Sequence, residues 1–284
     1  MDKTLLTLGH GYVAAALARR LLPEGWTVIG TTRSADKVAR IAATGVTPVV
    51  WDGGPLAALD EASHILISAA PGERGDPILD ALRDEIAARA DRTRWVGYLS
   101  VTSVYGDHDG DWVDEDTPTA PGSARAQARV TAEAAWQSIP SLPVHVFRLP
   151  GIYGPGRSAI ERVQSGTARR IVKPGQVFSR IHVDDIAQTL HASIIAPNPG
   201  RIYNVCDDEP CGADEVLAHA ADLLGVPRPP EVPFEEADLG PMARSFYADS
   251  KRVRNDRIKS DLGVELLYPT YREGLAAILK QVRG

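Results

Sequence analysis

The chain of 284 residues predicts a doubly wound α/β protein: one parallel sheet with helices on both faces (a Rossmann architecture) and a smaller, interleaved C-terminal lobe. Three observations predict it. Short runs rich in Val, Ile and Leu alternate with stretches of helical spacing. Those runs are apolar on both faces, as parallel strands covered by crossover helices must be. A glycine-rich turn joins the first run to the first helix.

The elements follow in order. The strand runs are "TLLTLG", "WTVIGTT", "TPVVWD", "HILISAA", "RWVGYLS" and "VHVFRLP". Between them the spacing predicts helices over 12–22, 34–44 with Ser34 as the cap, 76–90 and 123–136. After Pro150 the texture changes, with five glycines and two prolines around one short helix in residues 151–176. "VFSRIHV", a helix from Asp184 and the strand "RIYNV" come next. Two last helices, near 212–225 and 270–281, flank the proline-rich "GVPRPPEVPFEEADLGP". The implied division is a dinucleotide-binding lobe of residues 1–150 plus about 177–206, and a substrate lobe of 151–176 plus 207–284.

Composition bounds the function. Apolar residues at 44% and charged residues at 24% are ordinary for a globular chain and set aside the disordered and fibrous classes. A net charge of −6 offers no basic footprint for nucleic acid. Cys206 and Cys211 are too few for a disulfide framework and lack partners for a metal, which points to a reducing cytoplasm. No run approaches the roughly 18 apolar residues of a membrane span. Gly9, Gly11, Arg19 and Arg20 break the apolar N-terminus as a signal peptide.

The sharpest signal is "GHGYVA", in which Gly9, Gly11 and Ala14 form G-x-G-x-x-A between first strand and first helix. Gly9 permits the tight turn, Gly11 lets backbone approach a pyrophosphate and Ala14 lets helix and strand pack closely. The helix N-terminus, opened by Tyr12 and Val13, faces the phosphates, and His10 lines the turn. The second strand ends in "VIGTTRSADK" without the acidic residue that would hold the ribose hydroxyl of NAD. Arg33 stands there instead, with Ser34 beside it and Lys37 a turn beyond, which favours NADP over NAD. The alternative is that Arg33 and Lys37 are solvated charges.

In its order of motifs the chain resembles the NAD-dependent epimerase/dehydratase family of the extended short-chain dehydrogenase/reductase superfamily. The resemblance rests on the glycine motif, "VVWD", "LISAAP", "YLSVTSVYGD", "VDEDTPTAP", "FRLPGIYGPG", "RIHVDDIA", "RIYNV" and "IKSDLGVELLYPTYREGL", and spans nearly the whole chain. It implies Asp52 near the adenine, Ala69 and Ala70 beside the cofactor, and Pro150 and Gly151 near the nicotinamide. It also implies a cleft for a small-molecule substrate between two lobes, and pairing through the flanking helices as a homodimer.

The resemblance further implies a tyrosine and a lysine four residues apart after the V-Y-G turn, the tyrosine exchanging a proton while hydride moves, the lysine favouring its ionised form. Counting from Tyr105, those positions hold Arg125 and Arg129, with Glu133 in place as the family's following glutamate. The family's hydroxyl position is Val101, with Ser100, Thr102 and Ser103 as neighbouring candidates. Arginine stays charged and has no lone pair to act as a base. It can clamp an anion, so Arg125 is a candidate for a substrate carboxylate or phosphate and Arg129 for the ribose. The competing reading makes Arg125, Arg129 and Glu133 one solvated stripe with an ion pair of a few tenths of a kcal/mol.

Nucleotide-sugar members of the family carry an arginine where this chain has Phe178. Arg180, Arg169, Arg170 and Lys173 add positive charge nearby, so the substrate is expected to be anionic. "DHDGDWVDED" resembles a calcium loop, but Trp112 takes the position that needs glycine. His145 and His191 read as structural. Two functions stand: an oxidoreductase or epimerase-like enzyme of atypical mechanism, and a non-catalytic NADP(H)-binding sensor.

Overall fold

The structure is a computed structural model that describes residues 3–72 and 75–283. The first half runs β1 (Thr4–Leu8), α1 (Tyr12–Leu21), β2 (Thr27–Thr32), α2 (Val38–Ala42), β3 (Thr47–Val50), β4 (His64–Ile67), α3 (Pro77–Ala87), β5 (Trp95–Val101), β6 (Trp112–Val113) and α4 (Ala124–Gln137). The second half runs β7 (Val144–Leu149), β8 (Gly151–Tyr153), α5 (Ala159–Gln164), β9 (Arg170–Val172), β10 (Arg180–His182), α6 (Val183–Ile195) and β11 (Ile202–Asn204). It ends with α7 (Ala213–Leu224), β12 (Glu231–Pro233), α8 (Pro241–Ser245), β13 (Arg252–Val253), α9 (Asp256–Leu262) and α10 (Tyr271–Arg283).

Seven strands form one parallel sheet in the order β11-β7-β5-β4-β1-β2-β3. The chain winds outward from β1 through β2 and β3, then returns to β4 and winds the other way. That reversal opens a crevice at the carboxyl ends of β1 and β4, where open α/β sheets bind ligands.

Side-chain alternation along the strands feeds two cores. Leu5, Trp95 and Phe147 face one side, against Leu17 of α1 and Leu190 of α6. Leu6, Ile65 and Tyr98 face the other, against Leu82 of α3 and Trp136 of α4. A third cluster, away from the sheet, joins Tyr153, Ile160, Leu217, Ala221, Leu275 and Ile278. Ile258 and Val264 pack in the cluster of α1 and α6, although the sequence division places them in the smaller lobe.

Caps explain where two of the helices begin. The Asp76 side chain accepts from Ile78 N and Leu79 N, and its second oxygen accepts from Trp136 Nε1 at 3.0 Å, so one buried carboxylate starts α3 and ties it to α4. Ser123 accepts from Ala126 N to start α4. Ser34 departs from expectation. Its hydroxyl binds Asp36 instead of the helix backbone, and the stretch opens with a 3-10 turn over Ala35–Lys37, leaving α2 only five residues. Two short parallel pairs, β8 with β10 and β9 with β12, tie the second half to itself, and a third, β6 with β13, fastens it onto the first. Among the described residues no helix is long and apolar enough to cross a membrane, and no three His, Cys, Asp or Glu side chains gather as a metal site.

Candidate functional site

The glycine turn sits at the crevice. Gly9 has φ +92° and lies so close to the end of β4 that a Cβ on it would be 3.1 Å from Ala69 N. Its N–H donates to Thr31 Oγ1 at 2.8 Å, and His10 N donates to Thr31 O at 2.8 Å, so the turn is stitched to β2. Gly11 faces open space, with nothing within 4 Å of where its Cβ would be. Ala14 is fully buried between helix and strand.

The start of α1 is bare. Gly11 offers no side chain to cap it and the first turn holds no acid, so its N–H groups are free to receive an anion. Val13 turns its side chain into the core, which leaves only its backbone for a ligand. Tyr12 donates its hydroxyl to Pro155 O at 3.0 Å, joining the turn to the loop after β8. His10 pairs with Thr7 Oγ1 at 2.9 Å, and burial lowers its pKa, keeping the ring neutral. This cradle fits the pyrophosphate of a dinucleotide.

At the end of β2 Arg33 is exposed and makes no hydrogen bond or ion pair among the described residues, and Ser34 N is held by Thr32 Oγ1. Asp52, past β3, is exposed with one long contact from Gly54 N at 3.4 Å. Ala69 and Ala70 follow β4, and Pro150 links β7 to Gly151, which opens β8. All these residues lie at or just past the carboxyl ends of sheet strands, around the crevice.

The catalytic candidates separate. Ser100 is buried, and its hydroxyl donates to Glu133 Oε1 at 2.5 Å. Glu133 also receives Arg148 Nη2 at 2.7 Å and Nε at 3.2 Å. Arg148 Nη1 continues to the Tyr105 hydroxyl, which donates to Asn204 Oδ1 at 2.8 Å. Burial raises Tyr105 to about 12, so it stays a neutral phenol. Thr102 is buried in the 3-10 turn that follows β5. The solvated-stripe reading is therefore corrected, because Glu133 is an interior residue paired with β7 and not with its own helix. Arg129, half-buried, donates to Leu99 O at 2.7 Å and reaches the Tyr98 hydroxyl at 3.4 Å. Arg125, one turn earlier, is exposed and without a partner among the described residues.

The positive charge expected for the substrate also sorts itself. Arg180 is buried on Cys211 O, Cys211 Sγ and Glu209 O. Arg170 pairs with Glu231, and Lys173 donates to Tyr247 O. These three hold the smaller lobe together and are not free for an anion. A cation that sequence reasoning missed is Lys251, which is buried with a single long contact to Asp249 at 3.5 Å. Its signal was a lysine heading the "KRV" strand, visible only once β13 is paired with β6.

The fold is that of the NAD-dependent epimerase/dehydratase family, within the short-chain dehydrogenase/reductase superfamily, and the chain's structural neighbours are members of that family. No family model matches the chain. It is similar to a functionally unknown conserved protein from Silicibacter pomeroyi, at 59% identity and TM-score 0.96 over 98% of this chain and 99% of that one. It is similar to a putative NAD-dependent epimerase/dehydratase from Methylobacillus flagellatus, at 26% identity and TM-score 0.76 over 100% and 99%. In fold it matches a dTDP-glucose 4,6-dehydratase from Bacillus anthracis in complex with NAD, at 19% identity and TM-score 0.79 over 99% and 96%. Among curated proteins it is similar to protein YeeZ of Escherichia coli K12, 28% identical with 94% of this chain and 97% of YeeZ covered. A 3-diazoavenalumate denitrifying reductase from a Streptomyces species is 30% identical over 174 residues, 58% of this chain and 55% of the reductase.

Proposed function

We propose that the protein is an NADP(H)-dependent oxidoreductase that moves a hydride without a tyrosine as proton donor. The observation that carries it is the bare start of α1 above Gly11, with Arg33 unpaired at the end of β2. The bound dinucleotide supplies or accepts the hydride. Backbone N–H groups of the first turn hold the pyrophosphate, Arg33 holds the ribose 2′-phosphate by a charge-assisted bond, and Arg129 faces the ribose from α4.

Chemistry at this site then has to proceed without a phenol. Arg125 and Arg129 donate hydrogen bonds and stabilise negative charge, and neither takes up or releases a proton at a working pH. The acceptor is therefore one that takes hydride with water as its proton source, or an electron-poor group that needs no proton at all. Similarity to a reductase over part of the chain supports this direction.

Two measurements test the reading. NADPH and NADH are titrated by fluorescence into the wild type and Arg33→Ala. NADPH is expected to bind the wild type more tightly, and the substitution to weaken NADPH about tenfold while leaving NADH unchanged, since a tenfold change is about 1.4 kcal/mol and a charged hydrogen bond is of that order. A preference for NADPH that survives Arg33→Ala would overturn the assignment. Hydride-labelled NADPH is then offered with electron-poor carbonyl, imine and diazo compounds. Transfer to none of them would favour a sensor of NADP(H) over an enzyme.

A further inference from the structure

We propose that Arg125 and Lys251 together form a cationic end of the cleft that receives the carboxylate of an acidic substrate; the inference rests on the oxidoreductase reading above and names its substrate class. Strand alternation places Lys251. A Cβ on Gly110 would lie 3.3 Å from Arg252 Nη1 and 3.7 Å from Ser250 Oγ, so those two side chains point one way. Val253 points the other way, into a cluster with Val104, Tyr105 and half-buried Val101. Lys251, two residues before Val253, projects on that same side. It is the side of the V-Y-G turn and the end of β5, against which α4 packs.

The groups around Lys251 leave it underused. Its amino group has three protons to donate and one contact, at 3.5 Å to Asp249 Oδ2, while the side chain is 91% buried. Gln176, also buried, donates Nε2 to Asp249 O at 2.7 Å and leaves Oε1 with no partner. The other oxygen of Asp249 would lie 3.4 Å from a Cβ on Gly122, and Gly122 directly precedes the cap of α4. Arg125 stands on the first turn of that helix with no partner of its own. Asp107 is the other acid acting on Lys251, and its Oδ1 accepts from Ser250 N at 2.7 Å and Asp109 N at 3.3 Å. Asp249 thus offsets Lys251, and the charge of Arg125 is left unmatched. Burial also lowers the pKa of Lys251, a penalty that an incoming carboxylate relieves. A carboxylate seated between the two cations gains charge-assisted bonds that no protein group now supplies.

The test uses the protein saturated with NADP+, with cofactor binding checked first for every variant. Benzoate, cinnamate and succinate are titrated by calorimetry beside their uncharged amides. At least one acid is expected to bind about tenfold more tightly than its amide, the difference expected of a charge-assisted contact. Arg125→Ala and Lys251→Met should each erase that preference, and Lys251→Arg should keep most of it. Equal binding of all three acids and their amides overturns the inference, as does a preference that persists in Arg125→Ala. Arg125 is exposed, so its variant keeps the test open if Lys251→Met does not fold. Failure to bind NADP+ in the wild type would instead strike the parent reading, which separates the two.

Discussion

Gly30 is a glycine because His10 lies against it. A Cβ there would fall 2.7 Å from His10 Cγ and 2.8 Å from Nδ1, and the imidazole is fixed by Thr7. Gly30→Ala must therefore push the ring out of the turn, at about 1–3 kcal/mol for overpacking, with NADPH affinity falling alongside; urea unfolding and cofactor titration of the same variant check both. Arg148 and Glu133 make the opposite kind of constraint. Each side chain is 5% exposed and their pair is 2.7 Å long. Arg148→Met leaves the buried Glu133 carboxyl without its cation, a loss of about 3–5 kcal/mol, whereas Arg148→Met combined with Glu133→Leu should recover most of it. Chemical denaturation of the single and double variants measures the difference. The glycines of the turn were legible in sequence because their roles are local. The partner of Glu133 was not, since Arg148 lies in "VHVFRLP", a run read only for its apolar pattern, although an arginine inside a central strand demands a buried acid.

At the scale of elements, α1 trades stability for a site. Capping a helix with an acidic side chain stabilises its start through both hydrogen bonds and the dipole, yet Gly11 holds the N-cap and leaves it empty. Gly11→Asp has room for its side chain and should raise stability by about 0.5 kcal/mol while cutting NADPH affinity more than tenfold, because the carboxylate would occupy the proposed pyrophosphate position. A rise in urea midpoint with unchanged cofactor binding would mean the turn is structural. Helix α4 raises a different question. Its register was readable from Tyr105 to Glu133, and the structure keeps Arg125 and Arg129 on successive turns. What spacing could not convey is direction: Arg129 turns inward to Leu99 O, while Arg125 stays exposed. Arg125→Tyr with Arg129→Lys should leave NADPH affinity within about threefold, since the proposed phosphate contacts lie at the start of α1 and past the end of β2. A collapse of binding would show that α4 carries the cofactor.

Across the whole molecule, the sheet was legible and its fastenings were not. Seven strands announced themselves by apolar runs and intervening helices, but β6, β8, β9, β10, β12 and β13 are two or three residues long, too short for a period-two pattern to register. The fold also buries ionisable groups that give stability its pH dependence. Burial raises Asp207 to about 8 from an ordinary 3.8, so in the fold it keeps a proton that the unfolded chain has released. The unfolded state then binds fewer protons, and stability from this group falls as pH rises from about 4 through 8. Burial lowers His64 and His145 to about 4, which works in reverse: their contribution is lost as pH falls from 6.5 toward 4. Asp185, raised to about 6, completes its own decline near that point. In the unfolded chain the histidines are half protonated at 6.5 and finish titrating about a unit higher, so their gain partly offsets the larger loss from Asp207 between 6.5 and 8. Wild-type urea midpoints should fall between pH 6.5 and pH 8, and Asp207→Asn, which keeps an oxygen for Glu209 N, should flatten that decline. A wild type as stable at pH 8 as at 6.5, or a variant with the same slope, would mean that Asp207 is ionised in the fold and that Arg180 compensates its burial in full.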